Sequence, residues 1–376
     1  MKRAIFGGSF DPLTLAHYDL AIKLTEYFDE VIVVPAYVSP FKIGEMDLSG
    51  EERLELLKRA FAPYPSITVS DCEIKGEGTS YSYITAEKFY HEEDQLYFVI
   101  GSDCLSTLDK WARPDRLKKT VTFLVVKRPY YPIKQEDLDR ARKIFKVEIA
   151  SFDGKEGSSS LLRVAVAFGK QREVVPEIVA DYIEQKGLYR DYCYITERYD
   201  EFGIKPSRAE HIYRTANSAI LLAKLNGANT EKVVRAALLH DIAKYMDEQS
   251  LEKYGVEYDE AVTSLPPACR HQITGARLAL KAYGETDSDV ISAIESHTTG
   301  AKKMNIYQKI IFSADYIEEG RSFDGVEKIR ALTYENLDDG ITAIFENTIK
   351  YFASKGEELA PVTIEAYEYH KKEMKK

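Results

Sequence analysis

Residues 4–18 read AIFGGSFDPLTLAHY, an apolar run that breaks into a double glycine and reopens near Thr14 as a helical segment. A strand that feeds a glycine turn and then a helix start is suited to an anion. The first helical turn leaves backbone N–H groups unpaired and carries the positive end of the helix dipole. Gly7 and Gly8 let the backbone approach a phosphate closely. His17, one turn into the helix, adds an imidazole donor for the same anion. A Gly-Gly pair alone marks any tight turn, so the rest of the chain must carry the reading.

Outward from this stretch, β-rich runs at 31–36, 67–74, 96–101 and 121–126 alternate with amphipathic segments at 17–28, 50–61 and 81–91. That alternation predicts βαβ units and a parallel sheet, with ligands at the carboxyl ends of the strands. Beyond about residue 190 the strand signals stop. Segments 208–226, 231–246, 270–283, 287–298, 305–319 and 338–354 all carry apolar residues at helical spacing. Residues 233–242, VVRAALLHDI, are apolar nearly throughout and predict a central buried helix. The 376 residues exceed what one ordinary core supports. The expectation is an α/β domain over 1–190, a linker over 191–206 and an all-α domain over 207–376.

The charge balance, 51 basic against 61 acidic residues, argues against general binding of a nucleic-acid backbone. The four cysteines (Cys72, Cys104, Cys193, Cys269) form no C-x-x-C pair, so neither a disulfide framework nor a zinc ribbon is indicated. No apolar stretch is long enough to span a membrane, and the N-terminus lacks the apolar run of a secretory leader. A cytoplasmic protein is expected. Assembly as a homodimer is left open.

The string GGSFDP followed by T-x-x-H resembles the signature of the nucleotidyltransferase superfamily, with Thr14 and His17 at its two His/Thr positions and Ala16 where a glycine is usual. The series SPFK (39–42), GTSYSYIT (78–85), FVIGSDCLSTLDKWARPDRL (98–117), VKRP (126–129) and GSSSLLR (157–163) narrows the resemblance. It is similar to bacterial nicotinate-nucleotide adenylyltransferase, which joins ATP and nicotinate mononucleotide. The resemblance implies a Rossmann-like fold and Mg²⁺ carried with ATP. Gly7, Gly8, Ser9, Phe10, Lys42, Gly101, Asp103, Ser159 and Ser160 would bind ATP, with Thr14, His17 and Arg163 on its phosphates. Ser82, Thr85 and Trp111 would hold the nicotinate nucleotide. Trp111 is the only tryptophan, and it serves equally as an aromatic core plug. The aromatic residue that usually follows it is replaced by Ala112. Asp103 reads alternatively as a helix cap.

In the second half, four of the seven histidines lie between His211 and His297. They fall in EHIYRTA, LLHDIAK, CRHQITGA and ESHTTG, with FSADYIEEGR after them. A single histidine on an apolar face is usually a hydrogen-bonded core residue. His240 beside Asp241 in a buried segment is different, because two ionisable neighbours there need partners and a metal provides them. Histidine and carboxylate ligands without thiolate suit Fe or Mn. The order H, HD, H, H, D resembles the HD phosphohydrolase superfamily. HDIAK, HTTG and ADYIEEGRSFDGVEKIR are similar to its members that split diadenosine tetraphosphate into two ADP with iron. The resemblance implies two metals, one held by His211, His240, Asp241 and Asp315, the second joined by His271 and His297. Lys244 and Arg321 would hold substrate phosphates. Another phosphate acceptor for the first domain stays open. So does a second domain that senses nucleotides, or that cleaves cyclic dinucleotides or guanosine polyphosphates.

Overall fold

The computed structural model describes residues 1–37, 46–76 and 81–374. The chain divides into two compact units. One comprises Met1–Leu162 and Lys170–Tyr189, the other Arg163–Gly169 and Arg190–Lys376.

The first unit is a six-stranded sheet of β1 (Lys2–Gly8), β2 (Glu30–Pro35), β3 (Ile67–Val69), β4 (Gln95–Gly101), β5 (Thr122–Lys127) and β6 (Val147–Asp153). All pairings are parallel, in the order β3-β2-β1-β4-β5-β6. Helices α1 (Leu15–Leu24), α2 (Gly50–Phe61), α3 (Ser82–Phe89), α4 (Pro114–Thr120), α5 (Gln135–Arg142), α6 (Ser159–Ala167) and α7 (Glu177–Lys186) follow along the chain. Every residue of Val31–Val34 is buried, as expected of a strand covered on both faces. Ile5, Ile32, Phe98, Ile100, Phe123 and Val125 fall in one core cluster. The strand order reverses between β1 and β4, and both strands end in glycine at their carboxyl edge. A crevice is expected at that switch point.

The second unit is all helical. It contains α8 (Cys193–Thr196), α9 (Pro206–Leu225), α10 (Thr230–Leu239), α11 (Glu248–Glu252), α12 (Glu260–Thr263), α13 (His271–Tyr283), α14 (Ser288–Ser296), α15 (Ile306–Ile317), α16 (Val326–Glu335), α17 (Leu337–Lys355) and α18 (Pro361–Glu373). Val233, Val234, Ala236, Ala237 and Leu238 of α10 are fully buried, which makes it the central helix.

The expected linker over 191–206 is folded core instead. Tyr192, Cys193, Ile195, Tyr199, Phe202 and Ile204 are buried, and the Tyr199 hydroxyl donates to the Leu238 carbonyl at 2.7 Å. The segment shows no single period because it joins α8 to a 3₁₀ turn that closes at Gly203, with φ of 69°. The end of α6 also belongs to this unit. Phe168 packs on Tyr213 with ring centroids 5.3 Å apart, and Thr196 Oγ1 donates to the Ala167 carbonyl at 2.6 Å. The helix predicted over 231–246 stops at His240, its C-cap, so Asp241 and Lys244 lie on the turn that follows.

Candidate active sites

In the first unit, Thr14 caps α1 in a reciprocal box with His17. The Thr14 N–H donates to His17 Nδ1 at 3.4 Å, and Thr14 Oγ1 lies 2.9 Å from the same nitrogen. With Nδ1 accepting, the neutral ring carries its proton on Nε2, as a donor to an anion requires. Phe10 supports this arrangement from below. It is buried, meets the His17 ring edge-on at 5.4 Å, and lies where a Cβ on Gly8 would touch its ring at 3.2 Å. The ring faces the core because the turn folds it under Gly8. The Ser9 carbonyl accepts from Arg53, whose buried guanidinium also donates to the carbonyls of Ala36 and Tyr37.

His17, Gly7, Gly101, Asp103 and Trp111 line one cavity of about 200 Å³ at the switch point. Arg128, at the carboxyl end of β5, lines it too and was not singled out from sequence, although VKRP contains it. Its guanidinium pairs with Asp103 at 2.9 Å and Glu156 at 3.3 Å. A Cβ on Gly101 would collide with the Asp103 carboxylate and the Arg128 chain, so the glycine is required by that pair. Asp103 is thus an ion-pair partner, not a cap; Gly101 stands at the cap position. Trp111 is half-buried, edge-on to Phe98 and Phe123 at 6.0 and 5.7 Å, and forms part of the cavity wall as well as plugging the core.

Ser159 and Ser160 open α6, half-buried. A Cβ on the preceding Gly157 would lie 2.7 Å from Ala16 Cβ and 2.8 Å from Thr14 Oγ1, so the N-termini of α1 and α6 abut. Two positive helix ends therefore border one cavity. Two further expectations, Arg163 and Thr85, place differently. Arg163 forms an ion pair with Asp191 at 3.1 Å in the second unit. Thr85 is buried and donates to Glu73, because its place on the inner face of α3 turns it toward that carboxylate. Ser82 lies in the first turn of α3, and Lys42 lies outside the described residues.

In the second unit the structure brings His211, His240, Asp241, His271, His297 and Asp315 together around one carboxylate. Helices α9, α10, α13, α14 and α15 each deliver a ligand from their facing ends or inner faces. Asp241 Oδ2 faces His240 Nε2 at 3.4 Å and His211 Nε2 at 3.8 Å. Its Oδ1 faces His271 Nε2 at 3.1 Å and His297 Nε2 at 3.7 Å. Asp315 Oδ1 is 2.9 Å from His211 Nε2.

The other ring nitrogens are fixed. His240 Nδ1 donates to the Ala237 carbonyl at 2.6 Å and His297 Nδ1 to the Ile294 carbonyl at 2.8 Å. A carbonyl only accepts, so Nδ1 carries the proton and Nε2 presents a lone pair toward Asp241. His211 Nδ1 meets Glu318 Oε1 at 3.2 Å, a partner missed in the sequence although it follows Asp315 by one helical turn. Burial lowers the pKa of His240 and brings that of His271 to about 4, which keeps both rings neutral. Burial also works against ionised Asp241 and Asp315. At Asp315 the hydrogen bond and charge of His211, with Arg321 beside it, outweigh burial and hold the carboxyl well below the usual range.

These residues fit a metal. Nε2 of His240 is buried without a hydrogen-bond partner, an arrangement that a cation compensates. Both triads His211–His240–Asp315 and His240–Asp241–His297 bring their ligand atoms within 4.8 Å of one another. Three cations border the cluster. Arg208 Nη1 is 2.9 Å from Asp241 Oδ2, Lys244 Nζ is 3.9 Å from Asp241 Oδ1, and Arg321 Nη2 is 2.8 Å from Asp315 Oδ1.

Two family models match separate parts of the chain. Residues 5–165 match the cytidylyltransferase-like family model and residues 208–320 the HD domain model, a domain that implies divalent metal binding. A Mycoplasma pneumoniae protein named "Probable nicotinate-nucleotide adenylyltransferase/Ap4A hydrolase" is 30% identical over 358 residues, covering 93% of this chain and 98% of its own length. The chain belongs to that two-domain family. The chain is also 37% identical over 196 residues to a "Probable nicotinate-nucleotide adenylyltransferase" of Geobacillus thermodenitrificans, spanning 50% of this chain and 86% of that protein. The chain is also similar to a solved Clostridium acetobutylicum structure described as a "predicted HD superfamily hydrolase involved in NAD metabolism". That match has 35% identity and a TM-score of 0.44, and covers 49% of this chain and 98% of that one. Among the described residues of this family member, no helix is long and apolar enough to cross a membrane.

Proposed function

We propose that the first unit transfers AMP from ATP to nicotinate mononucleotide, and that the second hydrolyses diadenosine tetraphosphate to two ADP. The observation that carries the first reading is the cavity walled by His17, Gly101, Trp111 and Arg128 between two abutting helix N-termini. Adenylyl transfer is an in-line displacement: an acceptor phosphate oxygen bonds to the α-phosphorus of ATP as the bond to pyrophosphate breaks. It needs positioning and charge neutralisation rather than a covalent protein intermediate. His17 Nε2–H and the first turns of α1 and α6, with Ser159 and Ser160, are placed to receive the triphosphate. Mg²⁺ carried with ATP offsets its remaining charge. Trp111 offers the nicotinate ring an aromatic wall. Thr85 serves by shaping α3, since its hydroxyl is taken up by Glu73.

The second reading rests on Asp241, whose two oxygens each face a different pair of histidines. With those histidines and Asp315 it would hold two divalent ions, Fe or Mn matching the donor set. Such a pair, when bound, supplies an activated water and neutralises phosphoryl charge. The protein's own part is to fix the tautomers, exclude bulk water from a buried carboxylate, and hold phosphates with Lys244 and Arg321. The four cysteines are unlinked, which fits a cytoplasmic location.

Anaerobically purified protein supplied with Fe²⁺ and diadenosine tetraphosphate should yield ADP alone, and an Asp241→Ala control should yield none. ATP plus AMP would overturn the symmetric cleavage, and no turnover with metal bound would remove the substrate assignment. With ATP, nicotinate mononucleotide should be a better acceptor than its amide or phosphopantetheine. The opposite preference would refute the first reading.

A further inference from the structure

Arg208 is the basic residue of the hydrolase site to which the motifs gave no task. It stands in the first turn of α9, one turn before His211, and reaches the Oδ2 side of Asp241 at 2.9 Å. Lys244 lies on the opposite side, 3.1 Å from His271 Nε2 and 3.9 Å from Asp241 Oδ1. The two cations therefore straddle the one carboxylate on which both sets of histidines converge.

The charges around the site sharpen what this means. Asp241, Asp315 and Glu318 supply three negative charges, and Arg208, Lys244 and Arg321 supply three positive ones. Arg214 pairs with Glu210 at 3.0 Å and also reaches Glu318 at 4.0 Å. With Glu210 and Arg214 counted, four acidic and four basic side chains cancel around the site. Two divalent ions bring four further positive charges, and a ligand of about four negative charges restores balance. With that carboxylate compensated by bound ions, Asp241 would no longer need Arg208 and Lys244 as partners.

Resting on the dinuclear hydrolase reading, we propose that Arg208 and Lys244 bind phosphates on opposite sides of the bond that is cut. The second unit is then selective for chains with at least two phosphates on each side of that bond. A dinucleoside tetraphosphate meets both conditions, since each of its four phosphates carries one ionised oxygen. Cleavage at the centre adds the oxygen of one water to an inner phosphorus. The bridging P–O bond breaks with its electron pair passing to the departing ADP, and the two protons of the water leave to solvent. Arg208 is a substrate-positioning residue in this scheme: its fork-shaped guanidinium suits two oxygens of a phosphate, where a lysine offers a point charge.

The test uses the full chain, metal-loaded, as wild type, Arg208→Lys and Arg208→Gln. Metal content is measured by elemental analysis, hydrolysis is followed chromatographically, and ADP binding by calorimetry. Arg208→Gln should keep its metal and raise KM for diadenosine tetraphosphate roughly ten- to a hundredfold, the worth of one charge-assisted hydrogen-bonding group. Its preference for the tetraphosphate over diadenosine triphosphate should shrink, and Arg208→Lys should fall between. ADP binding should weaken in the variant, while the contribution of the adenylyltransferase unit is common to both proteins. An unchanged KM and substrate preference with metal retained would overturn the proposal. So would loss of metal in Arg208→Gln, which would make Arg208 a structural counter-ion of Asp241. If the wild type fails to cleave the tetraphosphate, the hydrolase reading falls. Weakened ADP binding in the variant would then still support phosphate contact by Arg208, and unchanged binding would remove it.

Discussion

Replacing Gly157 by alanine tests whether the abutting helix ends make the nucleotide site. The new Cβ would lie 2.7 Å from Ala16 Cβ and 2.8 Å from Thr14 Oγ1. Carbon atoms rest about 3.5–4.0 Å apart, so the N-termini of α1 and α6 must separate by roughly 1 Å. Overpacking of this kind costs about 1–3 kcal/mol, which for a unit of this size lowers Tm by roughly 2–10 °C. The functional effect should be larger. Thr14 Oγ1 is also the atom 2.9 Å from His17 Nδ1, so displacing it turns the imidazole that faces the cavity. A misplacement of about 1 Å at reacting groups costs on the order of a hundredfold in rate. The assay is adenylyl transfer, kcat and KM for ATP separately, with hydrolysis by the second unit as an internal check on folding. Ala16→Gly removes the nearest obstructing atom, so the Gly157→Ala/Ala16→Gly pair should recover part of both losses. Ala16→Gly alone should cost about 0.5–1 kcal/mol in helix stability. Wild-type Tm and kcat in Gly157→Ala, or no recovery in the double variant, would refute the packing argument.

Other outcomes follow from the same geometry. His17→Ala should cut adenylyl-transfer kcat by about two orders of magnitude, as loss of one preorganised donor does elsewhere, and leave hydrolysis untouched; steady-state kinetics of both activities decides it. Glu318→Gln leaves the metal ligands in place but weakens the carboxylate that orients His211, so metal affinity should fall roughly 10–100-fold, measured by chelator competition. Removing metal with a chelator should lower the unfolding temperature of the helical unit and leave that of the sheet unit unchanged, since the ligands join five helices of one unit only; differential scanning calorimetry should resolve the two transitions.

Much of this was written in the sequence. Apolar runs that end in glycine, AIFGG at 4–8 and FVIG at 98–101, announced the strands and their carboxyl edge, because backbone without Cβ is needed there whatever the rest of the fold does. The spacing of His211, His240, Asp241, His271, His297 and Asp315 likewise held a metal reading before any geometry, since buried ionisable groups need compensation. What spacing could not assign was direction. Phe10, Thr85 and Arg163 carry motif positions, yet one ring turns under Gly8, one hydroxyl turns to Glu73 and one guanidinium turns to Asp191. The polar, aromatic stretch 191–206 had no period to read, because a short helix and a 3₁₀ turn share it, and only packing against α10 makes it core. Arg208, Glu318, Arg128 and Gly157 matter through partners 25 to 141 residues distant in the chain, such as Asp241, His211, Asp103 and Ala16. Local sequence determines which residues can do the chemistry. Long-range packing decides which of them meet, because a side chain's partner depends on where other elements deliver theirs.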